Sequence, residues 1–164
     1  MASKADFTEE EWARLKRAPF VAGLSISIAD PGGPIEAVKE TSAALKTVTE
    51  AAEAGDHGEF VRAVARETVE EAKQRKNPLG GFKPKGATAS VEIVDELGQV
   101  NGIVSEKATP EEAEAFRTWL LDAAQAAANA AKEGGFFGFH AERVSEGEQR
   151  MLDKLGDALA PPAA

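Results

Sequence analysis

The feature that most constrains this chain is the apolar segment at residues 18–36, in which no charged residue occurs between Arg17 and Asp30. A segment this apolar on all sides is buried by its neighbours. Pro19 suits the first position of a helix, and the Pro and Gly residues at 31–33 stop a helix. A buried strand is the alternative, because apolar residues alternate with serines at 24–28.

The rest of the chain favours the helix. Four segments carry a capping-box pattern or a close variant of it: Thr8 with Glu11, Asp56 with Glu59, Thr109 with Glu112, and Ser145 with Glu148. Apolar residues recur at three- and four-residue steps after these starts, so a strand at 19–29 would have no partner. We predict an all-α fold, a single bundle-like domain of about six or seven helices over residues 1–164, in which Pro19 breaks or kinks the first helix.

The pattern also locates the segments without helix. Residues 77–87, which contain two Pro and three Gly, predict a flexible loop after a helix that ends near residue 76, and short disordered termini are expected at about 1–6 and 160–164. The only basic segment surrounds this loop, and its cations are Lys73, Arg75, Lys76, Lys83 and Lys85. The first three suit the C-terminal end of a helix dipole, and the alternative is that the loop binds an anion or an acidic partner.

Composition excludes several classes of protein. A net charge of -9 argues against a general nucleic-acid binder, which needs a cationic surface. The absence of cysteine removes disulfides and thiolate metal sites, and no apolar run reaches the roughly 20 residues of a membrane helix. We expect no membrane or nucleic-acid partner and a cytoplasmic location.

Acidic residues after the first apolar segment suggest a metal site. Asp30, Glu36 and Glu40 are the candidate ligands for a hard divalent ion, although the Glu-x-x-His step of di-iron bundles and the twelve-residue calcium loop are both absent. Solvated helix faces are the other interpretation. We therefore predict no cofactor and leave a divalent metal ion as the alternative.

Two histidine-containing segments could carry chemistry. His57 lies in a short acidic sequence that otherwise predicts a helix start, and a second segment combines aromatic residues with glycine: Phe136, Phe137, Phe139 and His140. The aromatic segment either closes one end of the core or forms a pocket for a ligand or partner. With no cysteine and no serine in a nucleophile-elbow context, no machinery for nucleophilic catalysis is visible, and we do not expect an enzyme.

The alanine run at 123–131 provides a smooth helix face. Small side chains let helices approach closely, either inside the bundle or across a two-fold interface. The bundle interior is the ordinary interpretation, and self-association as a homodimer is the alternative.

Several motifs resemble known families. The sequence Phe-Thr-x-Glu-Glu-Trp-x-x-Leu-x-x-Ala-Pro at 7–19, the Ala-Asp-Pro-Gly-Gly-Pro turn at 29–34 and Arg-Val-Ser-Glu-x-Glu at 143–148 resemble an uncharacterised family of small bacterial all-helical proteins, which implies no function. The turn at 30–33, followed by Glu36 and Glu40 on a helix, is also similar to the acidic all-helical tellurite-resistance proteins, and that resemblance implies a metal role.

Two functions follow from these observations. The first is a soluble, non-enzymatic helical module that binds a protein partner or a second copy of itself through the alanine face, the basic loop or the aromatic loop. The second is a stress-response protein that binds a metal or a small ligand.

Overall fold

The computed structural model describes residues 1–30, 34–132 and 144–163, and for residues 34–38 and 131–132 it describes the backbone alone. The described residues form six α-helices and no strand: α1 (Glu9–Ala29), α2 (Pro34–Ala54), α3 (Gly58–Lys73), α4 (Ala89–Lys107), α5 (Pro110–Lys132) and α6 (Glu146–Ala158). The predicted all-α bundle is therefore confirmed.

Helix α1 is the centre of the bundle and packs against each of the other five helices. Residues 18–29 of the apolar segment lie within this helix, so the prediction of helix over strand at 19–29 is confirmed. Pro19, however, is buried in the interior of one continuous helix, and the predicted break at this position is wrong. Proline within a helix costs about 3 kcal/mol because it lacks the N–H that would bond to Leu15, but neighbours that surround α1 bury enough apolar surface to offset this loss.

Small residues set the spacing of the central helices. A Cβ atom on Gly23 of α1 would lie 3.2 Å from the Cβ of Ala44 in α2 and 3.8 Å from the Cβ of Ala127 in α5. Within the alanine run, four residues are fully buried: Ala123, Ala124, Ala127 and Ala128. This face packs inside the bundle, as the ordinary interpretation of the run predicts, and self-association stays a prediction.

Three of the four predicted capping boxes are present. Glu11 N donates to Thr8 Oγ1 at 3.2 Å, and the Thr109 and Ser145 boxes have the same geometry. The prediction that Asp56 caps α3 is wrong, since His57 occupies the N-cap position without a side-chain hydrogen bond. Gly55 and Gly58 have positive φ angles, and Gly58 N donates to the carbonyl of Gly55 at 2.9 Å, so a glycine turn delays the start of the helix.

An aromatic chain links the helices around the core. Phe7 stacks on Phe60 with ring centroids 5.5 Å apart, and Phe60 lies 5.6 Å from Phe116, which in turn meets Trp119 edge-on at 5.4 Å. Phe7 precedes α1, and the segment before it, for which the sequence predicts a disordered terminus, has defined contacts. Its backbone N–H at Ala2 donates to the carboxylate of Glu112 at 3.1 Å. The stacking of Phe7 on Phe60 and the hydrogen bond from Ala2 to Glu112 hold the first residues of the polypeptide against the bundle.

Candidate functional site

A cleft opens on the surface between α1, α2, α3 and the connection from α3 to α4 at residues 74–88. Its volume is about 380 Å³. A smaller cavity of about 130 Å³ adjoins it and shares Phe20, Thr41 and Pro78 with it. The main cleft is lined by Ala13, Lys16, Arg17, Phe20, Thr41, Leu45, Thr68, Glu71, Ala72, Lys76, Asn77, Pro78, Gly80 and Gly81.

The connection from α3 to α4 forms one wall of the cleft and is held in place by its own contacts. Asn77 Oδ1 accepts a hydrogen bond from Leu79 N at 2.9 Å, and Gly80 N donates to the carbonyl of Asn77 at 3.0 Å. The side chains of Leu79 and Phe82 pack against the core, and the guanidinium carbon of Arg17 lies 5.7 Å from the centre of the Phe82 ring. The segment that the sequence predicts to be a flexible loop is therefore attached to the helices at two apolar points.

The rim of the cleft carries a network of ion pairs centred on Lys16. Lys16 Nζ donates to Glu71 Oε1 at 2.7 Å and to Glu67 Oε1 at 3.3 Å, and Lys76 Nζ lies 3.5 Å from the same oxygen of Glu71. Glu67 also accepts from Trp12 Nε1 at 3.0 Å and from Lys4 Nζ at 2.8 Å. Two carboxylates one helical turn apart on α3 therefore face the basic side of α1.

The cations of this network lower the pKa of both carboxyl groups, Glu71 and Glu67. The hydrogen bond from Lys16 lowers the pKa of the Glu71 carboxyl below its ordinary value, against an opposing effect of burial. Burial also acts to raise the pKa of Glu67, but the hydrogen bonds from Lys4 and Trp12 and the charge of Lys16 outweigh it, so this pKa is lowered as well. Both groups are carboxylates at neutral pH.

A second ion-pair centre adjoins the cleft through Arg17. Arg17 Nε donates to Glu96 Oε1 at 2.8 Å, and Arg14 pairs with the other carboxylate oxygen. Glu96 lies in the middle of α4, and only 5% of it is exposed. This centre joins α1 to α4 and fixes the direction of the Arg17 side chain, which lines the cleft beside Lys16.

The cleft combines apolar and charged side chains. Phe20, Leu45 and Pro78 contribute apolar surface to its lining, and Lys16, Arg17 and Lys76 contribute positive charge. Within the described residues that line it, there is no histidine and no cysteine or serine that could act as a nucleophile. An apolar volume bordered by a few convergent polar groups is the usual form of a small-molecule site, and 380 Å³ lies within the customary range of about 300–1,000 Å³.

Only one of the predicted basic residues lines this cleft. Lys76 does so, whereas Lys73 pairs with Glu70 at 2.6 Å on the same helix. Arg75, Lys83 and Lys85 are exposed and form no ion pair with any other residue that the structure describes. The aromatic segment with Phe136, Phe137, Phe139 and His140 lies outside the described residues.

The candidate metal ligands do not form a site that the structure describes. Asp30 is exposed at the C-cap of α1, and Glu40 is buried and accepts a hydrogen bond from Ser27 Oγ. Glu36 lies in α2, but its side chain is outside the described part of the chain. Among the described residues no three His, Asp or Glu side chains are grouped as a metal site requires. The metal ion stays a prediction.

His57 lies beside a separate cavity of about 260 Å³ between the ends of α2 and α3 and the middle of α5. Its Nε2 is 3.6 Å from Asp122 Oδ2, and Asp56 and Glu50 line the same cavity. This cavity has three carboxylates and no Lys or Arg in its lining, and it is smaller than the main cleft.

Sequence reasoning missed most of the cleft. Lys16 and Arg17 precede the apolar segment, Glu67 and Glu71 are four residues apart on an amphipathic helix, and nothing in the sequence indicates that the two pairs meet. One feature of the sequence could have indicated the ion pairs. Two adjacent cations stand immediately before a buried helix segment, where their partners must come from other elements.

Comparison of the chain with models of known protein families, with curated proteins and with solved structures finds no match. None of the six helices, as far as the structure describes them, carries an apolar stretch long enough to span a bilayer.

Proposed function

We propose that this protein binds a small amphipathic molecule in the cleft, with the apolar body of the ligand against Phe20, Leu45 and Pro78 and an anionic group at the rim. The observation that carries the proposal is the combination of an apolar cleft of about 380 Å³ with three cations at its edge, Lys16, Arg17 and Lys76. Glu71 is the one carboxylate among the lining residues, so the lining has an excess of positive charge in a chain whose net charge is -9.

This local excess of positive charge supports an anionic rather than a cationic ligand. An acidic protein repels anions at long range, but over distances beyond about 10 Å this repulsion is screened by salt at physiological ionic strength. Among the lining residues the cations outnumber the carboxylate, while Glu67 and Glu96 pair with Lys16 and Arg17 from outside the lining, and apolar surroundings strengthen the interaction of a cation with an anion. The proposal adopts the small-ligand alternative from the sequence, whereas a protein partner, self-association and a role in stress response stay predictions.

A matched pair of fluorescent probes tests the proposal. Phenylnaphthylamine is an uncharged aromatic molecule, and anilinonaphthalene sulfonate has the same aromatic body with a sulfonate added. Both become fluorescent in apolar surroundings. We expect both to bind saturably at one site per chain at pH 7, and the sulfonate probe to lose affinity as salt is raised. Failure of both probes to bind the folded protein would reject the proposal.

Variants of α2 and α3 test whether the probes bind in the cleft. Ala72 lines the cleft, and Ala72→Phe fills part of its volume, so we expect affinity for both probes to fall by about tenfold or more. Ala63→Phe adds the same ring at an exposed position of the same helix that does not line the cleft, and should leave affinity unchanged. Leu45→Gln, at a residue that is 38% exposed, removes apolar contact without opening the core. Equal binding by all of these variants would place the probes elsewhere.

A further inference from the structure

Two lysines at the cleft, Lys16 and Lys76, already form ion pairs with a carboxylate of the protein itself, that of Glu71. Lys16 Nζ and Lys76 Nζ converge on the same oxygen of Glu71, at 2.7 Å and 3.5 Å. Glu71 lines the cleft together with both lysines. Its carboxylate therefore occupies the position in which the anionic group of a bound molecule would find its strongest partners.

The contacts of Glu71 are of a kind that can be exchanged. Its side chain is 32% exposed and that of Lys76 is 56% exposed, so water can solvate both groups when they separate. The side chain of Lys16 is only 14% exposed, but Lys16 does not become isolated when Glu71 leaves, since Glu67 remains 3.3 Å from its Nζ. Arg17, the third cation of the cleft, differs in that its partner Glu96 is buried and shared with Arg14, and exchange there would leave a buried charge without a partner.

We propose that Glu71 is the specificity-determining residue of the cleft and acts as an internal competitor for Lys16 and Lys76. The inference rests on the proposed ligand site. A ligand with a charged head replaces the Glu71 carboxylate at the two lysines. A ligand with an uncharged head cannot replace it, and binds through its apolar body alone while the ion pairs stay closed.

This competition sets a threshold for recognition. The free energy of the Lys16–Glu71 and Lys76–Glu71 contacts is subtracted from the binding of every anionic ligand, because these contacts must open first. A group that forms several charge-assisted hydrogen bonds at once, such as a sulfonate, phosphate or carboxylate, overcomes that loss. Hydroxyl and amide heads do not, so the cleft selects strong anions among molecules with similar apolar bodies.

The substitution Glu71→Gln tests the inference, with the same two probes and the whole chain. Glutamine keeps the size of the side chain and removes the competing charge. We expect affinity for anilinonaphthalene sulfonate to rise by about two- to threefold, since the contacts that no longer have to open are partly solvated ion pairs, and affinity for phenylnaphthylamine to stay the same. Glu70→Gln is the matched control, since Glu70 is the adjacent residue of α3 and its partner Lys73 does not line the cleft. It should change neither affinity.

The other outcomes overturn the inference in recognisable ways. A similar rise for both probes would show that Glu71 limits space rather than charge. Weaker binding of the sulfonate probe would show that Glu71 positions Lys16 for the ligand. An unchanged affinity for the sulfonate probe would show that no exchange takes place. In each of these cases saturable binding of phenylnaphthylamine keeps the proposed site intact, so failure of the inference is distinguishable from failure of the proposed function.

Discussion

Helix α1 carries two ion-pair centres whose carboxylates differ in one physical respect, their access to water. Arg14 and Arg17 share Glu96, of which only 5% is exposed. Lys16 lies between them in sequence, but points to α3, where the side chains of Glu67 and Glu71 are 31% and 32% exposed. Glu96 of the first centre is buried between α1 and α4, whereas Glu71 of the second lines the cleft.

On one helix, this difference divides the charged residues into two groups. Arg14 and Arg17 form ion pairs that hold the fold together, and Lys16 forms ion pairs whose carboxylate a ligand can replace. A buried carboxylate needs all of its partners, because removal of any one leaves a charge away from water. A carboxylate that is about one-third exposed, such as Glu71, contributes less to stability, since water can take the place of its partners. The residue types agree with this division, because arginine forms directed bonds with a fixed carboxylate and lysine is a flexible point charge that adapts to different anions.

The largest expected effect is at the buried centre. Glu96→Gln leaves two guanidinium groups facing a neutral amide, and we expect the free energy of unfolding to fall by about 2–3 kcal/mol. This value is below that for a fully buried pair because the side chains of Arg14 and Arg17 are 20% and 16% exposed. Urea unfolding at pH 7 measures it, with Asp95→Asn as the control at the exposed neighbouring position. A loss under 0.5 kcal/mol for Glu96→Gln would remove the distinction between the two centres.

The next effect is that of acid on the rim centre. The folded protein holds the pKa of Glu67 and of Glu71 below the ordinary value, so near pH 4 the unfolded chain binds more protons than the folded one. The stabilisation is fully present above the ordinary glutamate pKa of about 4.3 and is lost as pH falls through the lowered values. We expect the urea midpoint to decrease between pH 5 and pH 3.

A double variant separates this contribution from other acid-sensitive groups. Glu67→Gln combined with Glu71→Gln should be less stable than the natural chain at pH 7, and the difference should shrink as pH falls. Glu11 and Asp6, whose pKa values are also lowered, remain in the double variant and keep their own share of the acid sensitivity. A difference between the two chains that is the same at pH 7 and pH 3 would contradict the assignment to Glu67 and Glu71.

The third effect concerns Glu67 alone. Glu67→Gln weakens the contacts to Lys4, Lys16 and the indole N–H of Trp12 at once, and we expect a loss of about 1 kcal/mol because the carboxylate is partly solvated. Trp12 is 3% exposed, so its fluorescence emission should shift when the charge of its hydrogen-bond acceptor is removed. Glu59→Gln, on the exposed face of the same helix, serves as the control for stability. No change in either stability or emission would mean that the network has no role in fixing Trp12.

The fold was largely predictable from the sequence, and the exceptions have physical causes. Periodic apolar residues and capping boxes depend on neighbours within a few positions of the chain, so α1, α5 and α6 begin where the sequence predicts. Pro19 contradicted its local propensity because tertiary burial of α1 outweighs one missing hydrogen bond. Asp56 failed as a cap because the backbone of two glycines closes the turn without it.

The candidate site was much less predictable, since it depends on contacts between distant parts of the chain. Lys16 and Glu71 are separated by 55 residues, and Arg17 and Glu96 by 79. No local pattern encodes such pairings. Of the basic segment at 73–85, Lys76 lines the cleft, and the other two lining cations, Lys16 and Arg17, come from α1.

The smallest expected effect on stability is at the residue that we propose to determine the specificity of the cleft. Glu71→Gln should change the free energy of unfolding at pH 7 by no more than about 0.5 kcal/mol, because Lys16 keeps Glu67 as a partner and Lys76 is already largely solvated. Urea unfolding measures this against Glu96→Gln under the same conditions. Exchange of Glu71 for a ligand requires that its own ion pairs be weak. A loss of 2 kcal/mol or more would place Glu71 with Glu96 among the structural charges, and an external anion would then have no accessible route to Lys16 and Lys76.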